Sequence, residues 1–157
     1  MKRSDLFYIW VAISSYVTGP LVYMISLWVI YGEHTKDLRR LITWTAPAFF
    51  TLGIPLYFLC TILLRRINKY SFWLQTLFFV LIGAMPVFIV PLFTGFFSFF
   101  NVSFLFTQEG FLFFLFFFSI AFVCSYGIWI AQKRLNKKPY FIISFIVLIL
   151  FTIMRII

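Results

Sequence analysis

Along the chain, apolar runs of about twenty residues alternate with short charged segments such as GEHTKDLRR and RRINKY. A helix rises about 1.5 Å per residue, so a run of that length crosses a hydrocarbon core about 30 Å thick. The pattern predicts five membrane-spanning helices, over residues 6–31, 41–64, 71–93, 110–131 and 139–157. The fifth carries the weakest signal, because Arg155 interrupts its end and must reach back to the interface to keep its charge in water. Without it the count is four. The expected fold is an all-α integral membrane bundle, a single multi-pass domain over residues 1–157.

Composition agrees with lipid as the solvent. Hydrophobic residues make up 64% of the chain and charged residues 11%, against roughly half and a quarter in soluble domains. The net charge of +9 comes from thirteen Lys and Arg, which are scattered in short segments beside the apolar runs. No basic domain exists to hold a duplex, so no nucleic acid partner is expected. The cations read better as topological signals, since Lys and Arg near span ends are retained on the cytoplasmic side. With five spans, nine fall on one face (Lys2, Arg3, Arg65, Arg66, Lys69, Lys133, Arg134, Lys137 and Lys138) and four on the other (Lys36, Arg39, Arg40 and Arg155). The N-terminus is therefore expected in the cytoplasm and the C-terminus outside. The first run is too long for a secretory h-region and has no small-x-small cleavage site, which predicts an uncleaved span.

Glycine and proline recur inside the runs. The stretches TGPLVY, GIPLYF and GAMPVF place Gly19 with Pro20, Gly53 with Pro55, and Gly83 with Pro86, each glycine about twelve or thirteen residues from the start of its span. All three pairs should approach the midplane. Proline cannot donate to the residue four back, so the carbonyls of Tyr16, Thr51 and Ile82 are freed and kinks are expected. Such kinks serve either fixed helix packing or a midplane site between broken helices. Span one also carries Ala12, Ser15, Gly19, Val22 and Ser26 at alternating steps of three and four, a stripe of small residues suited to close helix contact. Span four offers Ala121, Cys124, Gly127 or Ile128, and Ala131 in the same manner. The Phe-rich FLFFLFFF before them should face lipid or wedge between helices.

Catalytic chemistry lacks its parts. The first four spans contain no Asp, Glu, Lys, Arg or His, so no base can activate an intramembrane hydroxyl and no ion relay is available. Cys60 and Cys124 stand alone in apolar runs, without a C-x-x-C. His34, between Glu33 and Asp37, is the only histidine, too few groups for a metal site. Asn101-Val102-Ser103 matches a glycosylation sequon, a pattern frequent by chance. No enzyme activity, cofactor or metal is expected. The partners are the lipid bilayer and, through helix contacts, a second copy or another membrane protein. The expected role is accessory, regulatory or self-protective; the alternative is a small uncoupled carrier or channel for a neutral compound.

The stretches SSYVTGPLVYMI and GIPLYFLCTILLRR, with the Phe and Ile richness and short basic loops, resemble the small uncharacterised multi-pass membrane proteins of low-GC Gram-positive bacteria. The resemblance implies a bacterial plasma membrane and brings no site residues.

Overall fold

The computed structural model describes residues 3–33, 38–68, 70–93, 106–133 and 135–156; His34, Lys69 and the sequon lie outside them. The described residues form helices α1 (Arg3–Tyr31), α2 (Leu38–Ala48), α3 (Ile54–Arg66), α4 (Phe72–Phe93), α5 (Gln108–Lys133) and α6 (Lys138–Ile156), with a π-helical turn at Phe49–Gly53 joining α2 to α3. Among the described residues, four stretches are long and apolar enough to cross a membrane: Leu6–Tyr31, Leu38–Arg66, Gln108–Lys133 and Lys138–Arg155. The C-terminal segment is among them despite Arg155. α4 has 22 residues, and its apolar stretch is Phe72–Met85. This is an all-helical membrane bundle.

α1 and α5 form its central pair and run antiparallel. Val11 meets Gly127, and two turns further on Gly19 meets Ile120. α4 lies along α5, with Phe72 against Trp129 and Tyr126. Tyr57 of α3 stacks on Phe79 of α4 with ring centroids 4.2 Å apart. The α2–α3 span returns to α1, where the Tyr16 hydroxyl lies 2.8 Å from Thr45 Oγ1 and Tyr8 meets Phe58. α1, α5, α4 and the α2–α3 span close a ring. α6 lies outside it, parallel to α1, through Phe7 with Phe141 and Trp10 with Phe145.

Backbone and side-chain chemistry suit a medium without water. Hydroxyls along the spans donate to carbonyls four residues back, as Thr18 does to Ser14, Thr61 to Tyr57 and Ser144 to Tyr140. Each donor is thereby satisfied within its own helix. Trp73 at one end of the bundle and Trp28 and Trp44 toward the other are largely exposed, where indole rings favour the membrane boundary.

The proline at position 55 produces a change of helical register. Ile54 N–H donates to Phe49, five residues back, and the Thr51 hydroxyl donates to the Pro47 carbonyl at 2.7 Å. In a five-residue register, the carbonyl facing the missing Pro55 donor is that of Phe50 and not of Thr51. By contrast, α1 continues as one helix from Arg3 to Tyr31 with Pro20 inside it. α4 is also helical through Pro86.

Candidate functional site

The interior at mid-depth is where the sequence places its glycines, and two of the three meet there on α5. A Cβ at Gly19 would lie 2.6 Å from Ile120 Cδ1 and 3.1 Å from Phe116 Cε2. At Gly83 it would lie 3.1 Å from the Phe117 carbonyl oxygen, 3.2 Å from Ala121 Cβ and 3.2 Å from the Tyr57 hydroxyl. Both glycines therefore let a neighbouring helix reach the backbone. Gly53 differs, since the atoms nearest to its position belong to Phe49 of its own π turn.

The small-residue stripe of α1 faces into the same chain. Ser15 and Gly19 are buried, while Ala12, Val22 and Ser26 are half-buried. The matching stripe on α5 is Ala121, Cys124, Gly127 and Ile128, all buried. Within the Phe-rich segment, Leu112 and Phe116 are buried as well, and Phe118 is exposed. One side of that segment wedges between helices while the other meets lipid. Both cysteines are buried and free.

Several interhelical polar pairs lie beside this apolar seam. Ser14 Oγ and the Tyr140 hydroxyl are 2.9 Å apart, joining α1 to α6. Thr76 Oγ1 and Ser125 Oγ are 2.8 Å apart, joining α4 to α5. Gln75 Nε2 donates to the Ser125 carbonyl at 3.1 Å, and its Oε1 is buried with no partner among the described residues. These pairs escape a sequence reading that looks for ionisable groups; a glutamine four residues into an apolar helix was the available signal. Thr76→Val keeps the shape and removes the hydroxyl pair. It is expected to lower stability by about 0.6 kcal/mol, the average for interhelical hydrogen bonds in a membrane, measured by unfolding in mixed micelles. A loss above about 1.7 kcal/mol, the upper end of that range, would mean that the pair holds more than its own bond.

A cavity of about 20 Å³ lies between α1, α3 and α5, lined by Tyr8, Ala12, Ile54, Tyr57, Cys124 and Ile128 among others. It has room for about one water. Among the described residues, no group of three His, Cys, Asp or Glu side chains is placed to hold a metal ion. At the bundle end where α3 and α5 finish, Arg65 Nη1 donates to Gln132 Oε1 at 2.7 Å, and Gln132 Nε2 donates to the Tyr8 hydroxyl at 3.3 Å. At the other end Gln108 Nε2 donates to Glu33 Oε2 at 3.4 Å.

The chain matches no protein-family model, no curated protein and no solved structure.

Proposed function

We propose that this chain is a non-enzymatic component of a cell membrane that acts through helix contacts with a membrane partner, in an accessory, regulatory or self-protective role. Its N-terminus lies in the cytoplasm and its C-terminus outside in this reading, following the excess of Lys and Arg at the ends of α3 and α5. The observation that favours this reading over a carrier is the filling of Gly19 and Gly83 by side chains and backbone of neighbouring helices. Glycine here serves close approach between helices. A carrier for a neutral compound needs room at that depth, and at these two glycines other helices occupy it.

What the bundle then offers its surroundings is its outer surface. α6 contributes a long apolar face, with Ile142, Ile146, Ile149 and Ile153 exposed at helical spacing. Photoreactive residues at positions 146 and 149, activated in native membranes, are expected to give a discrete protein adduct, either a second copy or another protein. Adducts with lipid alone at both positions would sink this reading.

A further inference from the structure

At the end of the bundle where α3 and α5 finish, an open cavity of about 360 Å³ is lined by Arg65, Asn68, Tyr70, Gln132 and Lys133. The local chain builds it. α3 stops at Arg66, and Asn68 takes the left-handed conformation with φ of 57°, which asparagine tolerates better than most residues. Tyr70 stands beside the last turn of α5. Gln132 is held between Arg65 and Tyr8 by the two hydrogen bonds already described, which fixes one edge of the Arg65 guanidinium and leaves the rest of its fork available. Lys133 Nζ lies 5.9 Å from the centre of the Tyr70 ring.

Charge and hydrogen bonding in this cavity are one-sided. It has two cations and no carboxylate among its lining residues. Of the carboxylates on the described elements, Glu33 and Glu109 belong to the opposite end of the bundle, and Asp5 stands in the first turn of α1 at this end. The Tyr70 hydroxyl is shut off from solvent with no partner among the described residues. Burial pushes its pKa up to about 12 against the opposing pull of Arg65, so at neutral pH it is a protonated donor in need of an acceptor. Neighbouring like charges are costly, and a bound anion offsets them. Phosphate oxygens suit a guanidinium fork, an ammonium and neutral donors together, and the volume lies in the range of ligand pockets, roughly 300–1,000 Å³.

We propose that this cavity is a binding site for a phosphate group, with Arg65 and Lys133 as counter-charges and Asn68 and Gln132 as neutral hydrogen-bonding groups beside the Tyr70 ring. Its position at the ends of the spans places it at the depth of lipid headgroups, where basic pockets between helices take anionic lipids. The same chemistry also fits a soluble phosphate. A plainer role for the two cations is to complement the carbonyl ends of α3 and α5 and to anchor them in the interface. Arg66 separates the two roles, because it is exposed in the same last turn of α3 and does not line the cavity.

The test uses the full chain purified in a neutral detergent, titrated with short-chain phosphatidylglycerol, with phosphatidylcholine and with inorganic phosphate, and followed by phosphorus NMR. Phosphatidylglycerol is expected to bind more tightly than phosphatidylcholine. Lys133→Gln and Arg65→Gln should each weaken binding about tenfold, the worth of one charge-assisted hydrogen bond. Arg66→Gln should weaken it less than about twofold, as expected for a screened surface charge. Phosphatidylglycerol binding without competition from inorganic phosphate assigns the site to a lipid headgroup, and effective competition assigns it to a soluble anion. If neither probe binds, or if Arg66→Gln loses as much affinity as Lys133→Gln, the proposal is wrong and the cations are anchors. Should Arg65→Gln fail to fold, Lys133→Gln decides, since Lys133 is exposed.

Discussion

Tyr140→Ala is expected to lower the stability of the bundle by about 3 kcal/mol, at the low end of aromatic-to-alanine truncations in packed cores. Tyr140 is 1% exposed and joins three helices. Its ring meets Phe7 of α1 edge-on at 5.6 Å between centroids and Tyr126 of α5 at 6.1 Å, and its hydroxyl meets Ser14. The low end applies because lipid is as apolar as the protein interior, so removing the ring forfeits packing and leaves a cavity with little transfer term. Tyr140→Phe isolates the hydroxyl and should cost about 0.6 kcal/mol. Both are measured by unfolding in mixed micelles of mild detergent and dodecyl sulfate. Equal losses for the two variants would mean that the hydrogen bond, and not the ring volume, holds α6.

Gly127→Ala is the second large effect, a net loss of about 1–2 kcal/mol. A Cβ there would lie 2.6 and 2.7 Å from the two methyls of Val11 and 3.0 Å from Tyr140 Cε2. Val11 is 1% exposed and β-branched, so it has one favoured rotamer in a helix and cannot turn aside. The helices must separate, and overpacking of this kind costs about 1–3 kcal/mol. The better helix propensity of alanine returns up to about 1 kcal/mol. Gly19→Ala should cost a similar amount, because the added Cβ would meet Ile120 Cγ1 at 2.8 Å as well as Cδ1 at 2.6 Å, and Ile120 is β-branched like Val11. Adding Val11→Ala to Gly127→Ala should recover stability, a coupling that independent sites would not show. If Val11→Ala restores nothing in the Gly127→Ala background, the clash with Val11 is not what matters.

The spans were legible because the bilayer sets a length. The expected runs 6–31 and 110–131 sit inside α1 and α5, and 41–64 lies inside the α2–α3 span, with ends that differ by a few residues where polar groups such as Gln108 and Lys133 extend the helices beyond the apolar stretch. The small residues of α1 and α5 were visible as stripes, yet nothing in them says that one stripe meets the other. In a soluble helix the buried face is betrayed by its hydrophobicity. Here lipid and protein are both apolar, so Phe116, buried, and Phe118, exposed, look alike in the sequence. The π turn was hidden for another reason. Pro55 announces a missing donor, but whether the chain bends or inserts a residue into the turn depends on neighbours such as Phe49 and Tyr16, which pack together only in the folded bundle.

The position of α6 outside the closed ring has a consequence for how the protein is made. Spans enter a membrane from the N-terminus onward, so α6 arrives at a bundle whose other helices can already have met. On the surface that receives it, Ser14 Oγ also donates to the carbonyl of Trp10 at 2.7 Å, while the Trp10 indole N–H, packed against Phe141 and Phe145, has no partner among the described residues. Insertion of the last helix and its docking are therefore separable steps, the first driven by its own hydrophobicity and the second by the fit of Tyr140 against Phe7 and Gly127. A helix that docks onto a ring closed without it is also the one that can leave with the least disturbance to the rest.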